Sequence, residues 1–406
     1  MILVIRTRKG RELLSAGCSP SGADLSTVFP PYVDELSEKQ LIDTTSFSER
    51  IPAFLVAQAE FSNRLPCYSP RMKATVSSLR QARQIRQVFG PVLDRLDEVD
   101  AFFHREFEGA QPMVRDVATY VLGSGGKRLR PALVLLVSRM LGYKGERDVR
   151  YAAVIEMIHT ATLIHDDIID QSDLRRGKPT ANNTWGNQTT VLVGDWLYTR
   201  TMDLCLELGD VDVMRVLTSA TLRMTEGEIL ADRVRGQLDV DQQTYMDITQ
   251  RKTAELFAAA CALPALFQPA TLHLTEQLLE FGRCMGVSFQ LVDDLLDFTA
   301  ARADLGKPVM ADLLEGRVTL PIILLLERID GRNRARLAEV VSSGSFDAIS
   351  EQEVLQMVRT SGVLDEVRSR ARAYAEDAAE RAMAFPPGPE RDALVQASHM
   401  LLDRGV

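Results

Sequence analysis

Asp166-Asp167-Ile168-Ile169-Asp170 ends a mostly apolar stretch that begins near Asp148, and Asp293-Asp294-Leu295-Leu296-Asp297 repeats its Asp-Asp-x-x-Asp pattern inside a second such stretch. In both, apolar residues recur with helical rather than alternating spacing. On an α-helix, residues i and i+4 share a face about 6 Å apart along the axis, so Asp166 points with Asp170 and Asp293 with Asp297. Like charges on an apolar helix cost free energy unless something positive holds them. The donors are hard carboxylate oxygens, with no Cys or His cluster beside them except His165. That set suits Mg²⁺, which takes one or two carboxylates and fills its octahedron with water and phosphate oxygens. Two such faces meeting across a cleft would clamp a diphosphate through bridging metal ions. A solvated acidic face competes with this for one motif alone; two copies among Ile, Leu and Val make it the weaker reading.

Helical spacing extends outward from both motifs. Val92, Leu93, Leu96, Val99 and Phe102-Phe103 form one apolar stripe, Val114, Val117 and Val121 another. Pro131 falls in the first turn of a helix, where its missing N–H is harmless. Asp148 to Asp170 reads as one long helix with an acidic residue suited to its first turn. Further helices are expected near 189–208, 211–236, 242–267, 275–299, 311–328, 350–383 and 388–403. β-Branched alternation is nearly absent. The fold class is therefore all-α, a large single-domain helical bundle over residues 85–406, with several helices apolar on more than one side and so central. Residues 1–84 carry Pro, Ser and Thr without sustained period and are expected to form a poorly ordered extension.

At 406 residues and 46% hydrophobic, the chain can bury a large core. A formal net charge of −9, with no basic domain, excludes a nucleic-acid surface while leaving room for local basic pockets. Five scattered cysteines without Cys-x-x-Cys spacing argue against a disulfide framework or a zinc site and favour a reducing cytoplasm. The longest apolar run, Leu256 to Phe267, is too short to span a bilayer and contains Pro264, so no transmembrane segment is expected.

Basic residues gather at four places. Gly123-Ser124-Gly125-Gly126-Lys127-Arg128-Leu129-Arg130-Pro131 joins two helices, with glycines for a tight turn and cations near a helix start, where an anion is favoured. It lacks the Lys-Ser/Thr and preceding strand of a nucleotide phosphate loop. Leu174-Arg175-Arg176-Gly177-Lys178-Pro179 follows the first acidic motif, Lys252-Thr253 opens an apolar helix, and Gly306-Lys307-Pro308 follows the second motif. Each alone reads equally well as solvated charge.

Taken in order, Gly-Gly-Lys-Arg-Leu-Arg-Pro, His-Asp-Asp-x-x-Asp, Arg-Arg-Gly, Lys-Thr, Gln-x-x-Asp-Asp-x-x-Asp and Gly-Lys-Pro resemble the trans-isoprenyl (polyprenyl) diphosphate synthases, over about residue 85 to the C-terminus. That resemblance implies a bundle of the isoprenoid synthase type around a central cavity. It implies that Asp166, Asp167, Asp170, Asp293, Asp294 and Asp297 hold Mg²⁺ on an allylic diphosphate contacted by Arg175, Lys252 and Lys307. Lys127, Arg130, His159 and Arg176 would bind isopentenyl diphosphate, and Thr253 and Gln290 would flank the developing carbocation. His165 adjoins the first motif but turns about 100° away, toward packing or surface. Met310 stands where relatives commonly have Gly, and Arg317 where Lys is common.

The implied activity is the condensation of isopentenyl diphosphate with an allylic diphosphate, in a homodimer, with peripheral membrane contact at product release left open. Ala161, five positions before Asp166, stands where an aromatic closes the pocket in short-chain members of this family. A small residue there points to a long all-trans product of the octaprenyl class, as used for quinone side chains. The alternatives are a short-chain farnesyl or geranylgeranyl synthase, a terpene cyclase or head-to-head synthase, and a non-catalytic subunit of a heteromeric enzyme. Intact acidic motifs weigh against the last.

Overall fold

The computed structural model describes the strands Ile2–Arg6 and Glu12–Ala16 and residues 84–123, 126–175, 177–299 and 309–405. The chain divides into two units, Met1–Arg71 and Met72–Val406. In the first, β1 (Ile2–Arg6) pairs antiparallel with β2 (Glu12–Ala16). The rest of the expected disordered extension lies outside the described residues.

The second unit is helical. It begins with α1 (Leu93–Glu108), α2 (Pro112–Leu122), α3 (Leu129–Met140) and α4 (Arg147–Ile169). A two-rung hairpin, β3 (Leu174–Arg175) with β4 (Lys178–Pro179), follows the first acidic motif. Then come α5 (Ala181–Trp185), α6 (Asn187–Leu208), α7 (Val211–Val234), α8 (Gln242–Thr249), α9 (Glu255–Leu266) and α10 (Thr275–Thr299). The chain closes with α11 (Ala311–Leu314), α12 (Leu320–Leu326), α13 (Gly331–Ser343), α14 (Glu351–Thr360), α15 (Val363–Met383) and α16 (Pro389–Met400). Among the described residues no helix is long and apolar enough to cross a membrane.

Helices α4 and α9 are buried on every side over much of their length, which is why their sequences show no polar face. α4 packs on α6 and α3, and α9 packs on α10, α3 and α7. Helix α10 in turn lies against α15. The α9–α10 crossing is close because α10 carries Gly282 and Gly286 at a four-residue interval. A Cβ on Gly282 would lie 2.6 Å from the Ala258 Cα, and one on Gly286 2.5 Å from the Ala254 Cα. No larger residue fits without parting the helices.

Three expected helices are divided. The 242–267 span runs through a π-helical turn at Gln250–Ala254. The 311–328 span breaks into α11 and α12 at Gly316, whose φ is +74°. The 350–383 span breaks at Gly362, φ +77°, between α14, which opens on a Ser350–Glu353 capping box, and α15. A left-handed residue ends a helix hydrogen-bond ladder, and the side-chain spacing on either side stays helical, so periodicity alone runs the pieces together. Asp148 also departs from expectation. It sits in the first turn of α4 but is buried and paired with Arg95 of α1, so it fastens helices rather than serving the helix dipole alone.

Candidate active site

Most residues of the bundle core are fully buried, but a polar seam on α3, α4, α10 and the π turn keeps partial exposure. Arg130, His159, Asp166, Lys252, Thr253 and Gln290 all belong to it. In each acidic motif the middle aspartate is buried, and Asp294 is tied to this seam through Gln290. Asp167 and Asp294 are 5% and 2% exposed, because a step of one residue turns a helix by about 100°.

In the first motif the carboxylates meet side-chain cations. Asp167 accepts from the Arg175 Nε through both oxygens, at 2.8 and 2.9 Å. Asp170 accepts from Arg235 at 2.8 Å and from Arg317 at 2.8 Å. Those arginines come from two loops, joined where the Gly236 N–H donates to the Gly316 carbonyl at 2.8 Å. Arg317 also bonds Asp312 and Glu315. Asp166 lies 4.0 Å from the Lys252 ammonium, which pairs with Glu228 of α7. Gly227 makes that approach feasible, since a Cβ there would sit 2.8 Å from the Lys252 amide nitrogen.

The second motif is held differently. Asp294 accepts from the Tyr245 hydroxyl of α8 and, at 2.8 Å, from the Gln290 amide. Gln290 in turn accepts from the Thr253 hydroxyl at 2.8 Å, so one hydrogen-bonded chain runs from the π turn to the motif. Asp297 accepts from the Ala311 and Asp312 amides at 3.0 and 3.3 Å, at the start of α11. Met310 precedes that helix with φ +55°, in the left-handed region, and is fully buried. Glycine adopts that conformation without steric penalty, whereas Met310 holds it with its side chain packed in the core. Asp293 is exposed.

Four carboxyls register these surroundings. Burial lifts Asp166 to about 6, with Glu228 and Asp170 adding to the rise and Lys252 opposing it. Burial and the neighbouring Asp312 lift Asp297 to about 7 and hold Asp294 well above the usual carboxylate range. Asp170 alone moves down, since Arg317 and Arg235 outweigh its burial. Among the described residues, burial therefore outweighs positive charge at Asp166, Asp294 and Asp297. A divalent cation would supply positive charge there, and the all-oxygen donor set fits Mg²⁺. Among the described residues no three acidic, His or Cys side chains converge on one point, so such an ion would draw its remaining ligands from water and substrate.

Two turns before Asp166 on α4, the His159 Nε2 lies 3.3 Å from the Arg130 Nη1. The Arg130 guanidinium stands 4.3 Å above the Phe257 ring and 5.9 Å from that of Phe289. Lys127 is half-buried beside them in sequence, and Ala161 is buried in the α4 wall. His165 faces away, as its helical position requires, with its Nε2 3.3 Å from the Val191 carbonyl and 3.4 Å from Asp195. Arg176 and Lys307 lie outside the described residues. Arg235, Glu228 and Tyr245 join the site with no motif to mark them. Arg317 was visible only as an exchange of one cation for another.

Residues 111–358 match the sequence profile of the polyprenyl synthetase family. The octaprenyl diphosphate synthase of Escherichia coli is 36% identical over 306 residues, 75% of this chain and 94% of that protein. The all-trans-nonaprenyl-diphosphate synthase (geranyl-diphosphate specific) of Rhodobacter capsulatus is 35% identical over 320 residues, 79% of this chain and 98% of that one. A polyprenyl synthase of Caulobacter crescentus, crystallised with calcium and isoprenyl diphosphate, superposes with a TM-score of 0.74 at 31% identity, covering 83% of this chain and all (100%) of the other. With its all-helical fold and its acidic and basic motifs in order, the chain belongs to the polyprenyl synthetase family and is a prenyltransferase, a polyprenyl diphosphate synthase.

Proposed function

We propose that this enzyme extends an allylic diphosphate with isopentenyl diphosphate to a long all-trans product of about the octaprenyl class, for a quinone side chain, and that it uses Mg²⁺. One observation supports this above the rest. Lys252 faces Asp166, and Arg130 meets His159 seven residues, about 10 Å, before Asp166 on the same helix, so two diphosphates would be held apart along α4. The Caulobacter relative, with calcium and an isoprenyl diphosphate, is a parallel for such a pairing of cation and ligand.

Asp166 and Asp170 on one side and Asp293 and Asp297 on the other would hold the ions, with Asp167 and Asp294 steadying them from behind. Mg²⁺, when bound, acts as a Lewis acid that withdraws charge from the diphosphate. Lys252, Arg175 and Lys307 stabilise the departing diphosphate, and Lys127, Arg130, His159 and Arg176 anchor isopentenyl diphosphate. Thr253 and Gln290 place an oxygen dipole beside the allylic cation. Phe289 and the apolar walls keep water away. Holding the second double bond close makes its attack a local event. The proton then passes to an oxygen of the released diphosphate, which serves as the base.

Exposed Leu192 and Leu206 on α6 and Leu222 and Ile229 on α7 form apolar surface suited to a second copy, which supports a homodimer. Among the described residues Cys205, Cys261 and Cys284 are buried and free of disulfides, which fits a cytoplasmic enzyme.

Ala161→Phe tests the product length. It should shorten the distribution read by reverse-phase chromatography while Mg²⁺-dependent incorporation of labelled isopentenyl diphosphate continues. A wild-type enzyme that already stops at fifteen to twenty carbons, roughly three to four isoprene units, would overturn the long-chain assignment.

A further inference from the structure

Three cations, Lys127, Arg128 and Arg130, crowd into the four residues before and within the first turn of α3. By sequence they are interchangeable candidates for one anion. By geometry they are not. Arg128 donates to Glu156 of α4 at 2.7 Å and to Asp100 of α1 at 3.2 Å, and its guanidinium lies 5.3 Å from the Phe103 ring centroid. Glu156 is 7% exposed, and its side chain comes from the helix that bears the first acidic motif. The Arg128 backbone has φ 46° and ψ 33°, a left-handed conformation that a non-glycine residue adopts only when its surroundings hold it there.

Glu156 and His159 lie three residues apart, on neighbouring positions of one α4 face. Arg128 meets the first and Arg130 the second. The two contacts form parallel rungs between the start of α3 and α4, and the Arg128 rung also ties in α1. Unlike Lys252, one of whose two carboxylate partners belongs to the first acidic motif, Arg128 meets carboxylates outside both motifs, and that pairing leaves little of its charge for a diphosphate. We propose that Arg128 is a positioning residue: paired with Glu156, it locks the entry to α3 so that Lys127 and Arg130 face the isopentenyl diphosphate site, and it does not bind substrate itself. This rests on the reading of Arg130 and His159 as that site.

The test is a kinetic cycle of Arg128→Met, Glu156→Gln and the double variant, each with both substrates varied. Either single change should raise KM for isopentenyl diphosphate about tenfold, as misplacement of a binding group does, with kcat and the allylic KM within about twofold. The double variant should be no worse than the worse single one, because both remove the same rung. Asp100→Asn, at the exposed end of the pair, should move KM the same way by less, and serves should Glu156→Gln fail to fold. If Arg128→Met raises KM while neither Glu156→Gln nor Asp100→Asn does, Arg128 is a direct ligand and the proposal is overturned. Equal damage to both substrates' KM, alongside a fall in Tm, would make the rung a general structural contact and also overturn it. Arg130→Met is the separate control: if that variant leaves KM for isopentenyl diphosphate unchanged, the site assignment fails, whatever the cycle gives.

Discussion

The two acidic motifs have the same letters at the same spacing, yet the bundle treats them oppositely. The first is surrounded by side-chain cations from elsewhere in the chain, with Arg175 on Asp167, Arg235 and Arg317 on Asp170, and Lys252 facing Asp166. In the second, among the described residues, Asp294 and Asp297 accept from a tyrosine, a glutamine and two backbone amides, dipoles rather than charges. The carboxyl pKa values follow, with Asp170 pulled down and Asp294 and Asp297 pushed up. A repeated motif therefore need not mean a repeated electrostatic environment. On this account the second motif depends more heavily on added metal for its ionised form than Asp170 does.

The largest expected effect strikes both motifs alike. Asp166→Ala and Asp293→Ala should each lower kcat by about a thousandfold or more while the far-UV spectrum stays helical, because each removes a proposed ligand of the ion that would act on the leaving group. Near-normal turnover in one of them at saturating Mg²⁺ would restrict the metal site to the other motif.

A smaller effect should separate them. Without Mg²⁺, Arg317→Met leaves Asp170 short of a partner in a mostly buried setting and should cost roughly 2–3 kcal/mol of stability. Added Mg²⁺ should restore part of that, since one cation replaces another. Tyr245→Phe removes a neutral donor from Asp294 and should cost about 1–2 kcal/mol. Denaturant titrations with and without Mg²⁺ check both, and equal metal rescue would erase the distinction between charge and dipole.

The pH dependence is the mildest consequence. Asp166 and Asp297, raised by burial to about 6 and about 7, bind protons in the metal-free fold that the unfolded chain has already released at those pH values. Their contribution to metal-free stability therefore falls as pH rises from about 4 through 7. Metal binding must displace the same protons and so tightens over that range. The Mg²⁺-induced rise in Tm should be greater at pH 8 than at pH 6. A rise independent of pH would mean that these carboxyls do not meet the ion.

The family motifs were legible because each is a short run whose chemistry needs adjacent residues: acidic positions on one helical turn, cations at a helix start. His165 could be set aside from helical angle alone, and its contacts with Val191 and Asp195 bear that out. The π turn at Gln250–Ala254 could not be read, because it adds one residue per turn without altering composition. Tyr245, Glu228 and Arg235 carry no local signal either. Each reaches its partner across at least 49 residues, apart from Glu228, which reaches Lys252 from a neighbouring helix.

From its sequence alone the chain is determined to be an all-helical bundle with two acidic helix faces and a set of basic segments, since periodicity and charge are properties of neighbouring residues. Sequence also pairs Asp166 with Asp170 and Asp293 with Asp297 on shared helix faces, through the 100° step of the helix. What tertiary structure alone decided is how each charge is balanced. Close crossings at Gly227, Gly282 and Gly286 and the join of Gly236 to Gly316 bring distant segments together, and Arg128 and Arg130, two positions apart, meet different partners on α4, Glu156 and His159. The physical reason is that electrostatic interactions depend on distance through space and on burial, and neither is set by separation along the chain.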